Sequence, residues 1–169
     1  MTSSLYPYIQ ESINLSDKNK DNYTLTIQHS LDGLSFVIFD NAEQKFIALK
    51  HYQYSTKDII LQDIIKELQE KEDWKLEDFK NVNILIDNNL NTLIPKDFFQ
   101  EEAKEQYLSL INIDNNSIVM TDDIQECEAV NVFSCKDKLD FLNHNVKTYH
   151  CSTILIKKLI KDFSDRNAE

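Results

Sequence analysis

A chain of 169 residues, 41% hydrophobic and 28% charged, is long enough to bury a core without disulfide or metal staples. Its net charge of −11 argues against nucleic acid or an anionic membrane surface as partner, since both carry the same sign, and leaves a protein as the expected partner. Cys127, Cys135 and Cys151 form no close pair, and no secretory leader or bilayer-length apolar run is seen, so reduced thiols and a cytoplasmic location are expected.

In chain order, residues 1–22 read as a polar lead-in, docked through Leu5, Tyr6 and Tyr8. "YTLTIQHSL" (23–31) alternates, with Leu25, Ile27 and Leu31 on one side, which predicts a half-buried strand. "LSFVIFD" (34–40) is apolar on both faces, as a covered strand should be. Between them stands Asp32-Gly33, the chain's one glycine; Asp-Gly is a hairpin signal because a type I′ turn needs positive φ at both central positions. "DNAE" (40–43) is a second turn and "KFIALKHYQ" (45–53) a third strand, completing a meander.

Thr56 is placed to cap the next segment, "KDIILQDIIKELQEKED", where Ile60, Leu61, Ile64, Ile65 and Leu68 recur at helical spacing. "NVNILID" (81–87) predicts a short buried strand and "TLIP" (92–95) an extended piece, with Pro95 suited to start a helical turn. A helix is expected over 96–111, strands over 117–124 and 129–135, a short helix over 136–145 and a strand over 146–152. Thr153 then caps a closing helix over 153–163, and residues 164–169 form a frayed tail.

Three antiparallel strands followed by alternation match a ribonuclease H-like half-domain, the unit from which actin-like ATPases are built. The segments "LTIQHSLDGLSFVIFD", "FIALKHYQY", "NVNILIDNNLNTLIPKDFF" and "AVNVFSCKDKLDFL" resemble an uncharacterised Bacteroidetes family, a domain of unknown function with an actin-like ATPase fold. The resemblance spans residues 23 to about 160 and implies an α/β first lobe over 23–163, with a small β-α-β subdomain near 117–152. The last third is also similar to an assembly subdomain of the cell-division and pilus-assembly branch of that superfamily. The family's two-lobed pattern implies a second lobe where this sequence stops, so half of a nucleotide cleft is expected to be missing.

Asp32, Gly33 and Ser35 supply the residue types of a phosphate-gripping hairpin, an acid followed by a small residue and a hydroxyl. A bare hairpin turn is the favoured reading, since Asp-Gly turn chemistry alone explains them, and with no second glycine there is no partner loop. Asp87 closes a central strand, but a lone carboxylate cannot assemble a two-metal nuclease site. Cys135, His144, His150 and Cys151 lack the paired short intervals of structural zinc sites. Glu101-Glu102 and Asp122-Asp123 read as solvent-facing pairs, and one of Phe98 and Phe99 as exposed. The expectation is a non-catalytic interaction or assembly module without cofactor or metal. It would present Leu155, Ile156, Leu159 and Ile160 of the last helix to a partner, including a second copy. The alternative is an ATP-binding or ATP-hydrolysing lobe whose cleft another lobe or chain completes, with Asp32, Gly33 and Ser35 on the phosphate.

Overall fold

The computed structural model describes residues 5–11, 22–54, 60–109, 111, 117–136, 139, 142 and 145–166. The strands are β1 (Leu5–Glu11), β2 (Tyr23–His29), β3 (Gly33–Asp40) and β4 (Lys45–Tyr54), followed by helix α1 (Leu61–Glu72). Then come β5 (Asn81–Ile86), β6 (Asn91–Pro95), the one-turn α2 (Lys104–Tyr107), β7 (Ile118–Ile124), β8 (Ala129–Cys135), β9 (Val146–His150) and α3 (Cys151–Arg166). The chain divides into two compact units, Met1–Ile86 with Leu139–Thr148, and Asp87–Lys138 with Tyr149–Glu169.

The first unit is built on a six-stranded sheet in the order β1-β4-β3-β2-β5-β9. Neighbours β2–β3, β3–β4 and β1–β4 run antiparallel, and β2–β5 runs parallel. An antiparallel meander continued by a strand parallel to its first member is the ribonuclease H-like arrangement. Alternation sets the faces: Tyr23, Leu25 and Ile27 of β2 are buried while Thr24, Thr26 and Gln28 are half-exposed. In β4 a bulge between Phe46 and Ala48 leaves Ile47 as the extra residue, and both Ile47 and Ala48 are buried. Strand β1 was not expected as such: the segment read as a lead-in pairs along β4 from Leu5↔Tyr54 to Glu11↔Leu49.

Helix α1 buries Leu61, Ile64, Ile65 and Leu68, the predicted stripe. Ile60, which the spacing assigned to that stripe, is exposed and precedes the helix in extended conformation. Thr56, the expected cap, lies outside the described residues. The helix ends where Asp73 turns left-handed (φ 54°) and its N–H bonds to the Gln69 carbonyl. Lys50 Nζ lies 2.5 Å from Glu72 Oε2, and the Tyr52 hydroxyl donates to the same carboxylate. The helix end is thereby tied to β4. Trp74 follows directly and meets Phe36 and Phe79 edge to face.

The second unit holds a three-stranded antiparallel sheet, β6-β8-β7, with α2 and α3. Leu108, Val119, Val130 and Val132 form its core, joined by Ile94, Phe99, Tyr107 and Ile111. The helix expected over 96–111 is broken into 3-10 turns at Lys96–Phe98 and Glu101–Ala103 ahead of the short α2. The Tyr107 hydroxyl accepts from Gln100 N–H and donates to the Phe98 carbonyl, while its ring stacks on Phe99. That clasp holds Phe99 and Gln100 extended and stops a continuous helix.

Further boundaries differ from expectation. Strand β2 ends at His29, so Leu31 sits exposed in the turn and not among the core residues. Most of the helix expected over 136–145 lies outside the described residues. Strands β8 and β9 belong to different sheets, which divides the segment read as one β-α-β subdomain over 117–152. Helix α3 starts at Cys151, two residues before Thr153, and continues to Arg166, so the tail read as frayed is helical through that residue.

Candidate functional site

The β2–β3 bend carries Asp32, Gly33 and Ser35. Ser30 N–H donates to the Gly33 carbonyl at 3.0 Å, which makes Leu31 and Asp32 the central pair of the turn. No glycine here has positive φ, and neither Leu31 nor Asp32 does, so the type I′ reading of Asp32-Gly33 is corrected. Gly33 is instead the first residue of β3 and serves a close approach. A Cβ there would lie 2.6 Å from the Tyr52 carbonyl oxygen and 2.8 Å from His51 Cε1. The absent side chain makes room for β4, not for a ligand.

The other two candidates are also engaged within the protein. The Ser30 hydroxyl lies 2.9 Å from both Asp32 Oδ1 and the Gly33 carbonyl. Ser35 Oγ lies 2.9 Å from His51 Nδ1, its cross-strand neighbour. Asp32, Gly33 and Ser35 therefore share one bend, where Asp32 meets the Ser30 hydroxyl, Gly33 packs against β4 and Ser35 meets His51.

The second place is a polar cluster in the second unit that the sequence reading did not assemble. His150, the last residue of β9, is 2% exposed. Its Nε2 lies 3.0 Å from the Asn88 carbonyl, an acceptor, so Nε2 carries the proton. Its Nδ1 then accepts, from Ser152 Oγ at 2.7 Å and Ser152 N–H at 3.2 Å. Asp122 Oδ2 accepts the His150 backbone N–H at 2.8 Å. From the middle of β8, Asn131 Nδ2 donates to Ser152 Oγ at 3.0 Å and to Thr153 Oγ1 at 2.9 Å. Ser152 Oγ also lies 3.2 Å from Asn91 Oδ1, and Asn88 Nδ2 donates to the Ser134 carbonyl.

The cluster converges on the first turn of α3, whose N–H groups have no partners within the helix. Burial pushes the His150 pKa down, against the opposing pull of the Asn88 carbonyl and of the Asp122 and Asp87 carboxylates. Burial pushes the Asp122 carboxyl up, offset by hydrogen bonds from His150 N–H and Thr153 and by the charges of His150 and Lys157. Cys151 is pushed up to about 11 by burial and by Asp87, which makes it a poor nucleophile.

Two expectations are corrected here. Asp122 is buried and bonded, so only Asp123 of that pair faces solvent, where it meets Lys96 at 2.9 Å. Thr153 is not the cap of α3; it lies inside the first turn, buried, as the acceptor of Asn131. Although Ser152, His150 and Asp122 are close, they are not ordered for acyl transfer. Asp122 bonds the backbone of His150 and not its ring, and the ring's other nitrogen faces a carbonyl. One clue to the cluster was readable: Asn131 interrupts the apolar run "AVNVFSC", and an amide buried there demands partners. Of the residues weighed as zinc ligands, Cys135 is buried, Cys151 half-buried and His144 outside the described residues.

The third feature is α3 itself. Leu155, Leu159 and Phe163 recur every four residues and are 59%, 46% and 62% exposed. Spacing of four aligns them as one ridge along the helix. Of the four residues expected to face a partner, Leu155 and Leu159 are on this ridge, while Ile156 and Ile160 are half-buried. Phe98 is the exposed member of the Phe98-Phe99 pair.

Comparison with known proteins gives kinship and no chemistry. No curated protein matches the chain. A crystal structure from Bacteroides thetaiotaomicron, of a protein with actin-like ATPase fold and unknown function, superposes with a TM-score of 0.72 at 27% identity. It covers 88% of this chain, which spans only 59% of that one. The strand order and the parallel β2–β5 pair are thus those of an actin-like lobe. With the family described as "Protein of unknown function (DUF3822)" matching residues 12–169, nearly the whole sequence, this chain belongs to that family.

Proposed function

We propose that this chain is a protein-interaction lobe, a degenerate actin-like half-domain that works through contacts and not through catalysis. The observation that carries the reading is the exposed ridge of Leu155, Leu159 and Phe163 on α3. Three large apolar side chains aligned on one helix face favour association, because burying each removes apolar surface from water. The closed β2–β3 bend supports the same reading, since Gly33 is spent on the approach of β4 and Ser35 on His51. No helix among the described residues is long and apolar enough to cross a membrane.

The test has two arms. Sedimentation over a concentration series should show association of the chain, weakened at least tenfold by the paired substitution Leu155→Glu/Leu159→Glu. A wild-type chain that stays monomeric throughout would remove the support for the ridge. Titration with magnesium and ATP should leave the melting temperature unchanged. A nucleotide saturating a real site at 100-fold its Kd would instead add about 2.7 kcal/mol of stability. That outcome, lost again in Asp32→Ala, would establish the ATP-binding alternative.

A further inference from the structure

We propose that His150 is an acid-sensitive latch on the start of α3, built to work only as a neutral imidazole. Both ring nitrogens are engaged in the neutral form. Nε2 already donates to the Asn88 carbonyl. Nδ1 receives Ser152 N–H, one of the first-turn N–H groups that a helix cannot satisfy itself, and sits 2.7 Å from Ser152 Oγ. A proton on Nδ1 would point a donor at Ser152 N–H, and Ser152 Oγ would have to turn from donor to acceptor, its own hydrogen going to Asn91 Oδ1. It would break the bond to Ser152 N–H and place a positive charge against the positive end of a 16-residue helix.

The surroundings set the sign of the response. Around the ring stand Asp122 from β7 and Asp87 from the segment after β5; Lys157 of α3 acts on Asp122, and the neighbouring Cys151 is held as a neutral thiol. From β8 the Phe133 ring packs at 5.2 Å, without charge. The two carboxylates favour imidazolium, but burial outweighs them. A histidine whose folded pKa lies below its ordinary 6.5 contributes its full stability above that value. The contribution is lost as pH falls from 6.5 through the lowered folded value. Asp122 runs the other way: its raised carboxyl makes the charged form the costly one, so as pH falls through its folded value toward 3.8 it returns stability and opposes His150.

The consequence is local. Because α3 carries the ridge proposed above as a contact surface, weak acid would loosen the turn that leads into that ridge; this step rests on the interaction reading, whereas the latch itself does not.

The experiment is nitrogen-edited NMR on the labelled full-length chain. Ring correlations should show His150 in the Nε2–H form near neutrality, titrating below 6.5. Between about pH 7.5 and about pH 5, amide protection at Ser152 to Leu155 should fall severalfold while that of α1 is kept. In Ser152→Ala the ring should keep its tautomer, because Ser152 N–H still points at Nδ1. His150→Gln should abolish the pH dependence of α3 protection; if that variant does not fold, the wild-type ring and amide data decide alone. An Nδ1–H tautomer, titration at or above 6.5, or protection of α3 that does not change with pH would overturn the latch. None of these readouts depends on whether the ridge finds a partner.

Discussion

Gly33 shows how one residue can carry a plausible function and serve another need. Its residue type and its neighbours Asp32 and Ser35 suggest a phosphate turn, yet its φ is ordinary and its missing Cβ admits the Tyr52 carbonyl. The position is predicted to be intolerant of any side chain. Gly33→Ala should destabilise by about 1–3 kcal/mol, the range for inserting a methyl into a filled space, because the contact at 2.6 Å is with backbone that cannot swing aside. Chemical denaturation measures it, and a change below about 0.5 kcal/mol would mean that β4 gives way easily. His150 illustrates the reverse case. As a lone histidine next to a cysteine it offers no motif, and its importance appears only when Asn88, Asp122 and Ser152, distant in sequence, are placed around it.

At the scale of elements, α1 was readable from its period, and its attachment was not. Leu61, Ile64, Ile65 and Leu68 repeat at helical spacing, and all four are buried. The anchor at its far end is Glu72, whose carboxylate meets Lys50 and Tyr52 of β4 with only 10% of its side chain exposed. Burial first, and then Glu72, push the Tyr52 phenol up, so it remains a donor across the physiological range. Glu72→Ala should cost about 3–5 kcal/mol if the lysine is left without compensation, as for a buried pair losing one member. Glu72→Gln should cost less, since an amide oxygen still accepts from Tyr52. Thermal melts of the two variants check the order, and equal losses would show that the charge alone, and not the hydrogen bond from Tyr52, holds the contact. The helix expected over 96–111 failed for a reason of the same kind. Its composition favours a helix, but the Tyr107 hydroxyl bonds Phe98 and Gln100 in a non-helical path.

For the whole molecule, a charge of −11 with few ion pairs among the described residues predicts self-repulsion in the folded state. Added salt should therefore raise the melting temperature by a few degrees at neutral pH, as screening shortens the reach of surface charges to about 10 Å or less. Calorimetry at low and high salt tests this, and a fall in melting temperature would show that attractive pairs dominate. Alternation and helical period are properties of neighbouring residues, so the meander, the stripe of α1 and the buried strand after it could be read from sequence alone, and the fold class followed from the order of these elements and the family resemblance. Which residues meet across tens of positions is a different matter. The pairing of β1 with β4, the assignment of β8 and β9 to separate sheets, the closing of the Gly33 bend and the gathering of Asn88, Asp122, Asn131 and Ser152 about His150 were decided only by the tertiary structure. The reason is that local preference acts over a few residues, whereas a buried polar atom takes whichever partner the packed chain brings within hydrogen-bond reach.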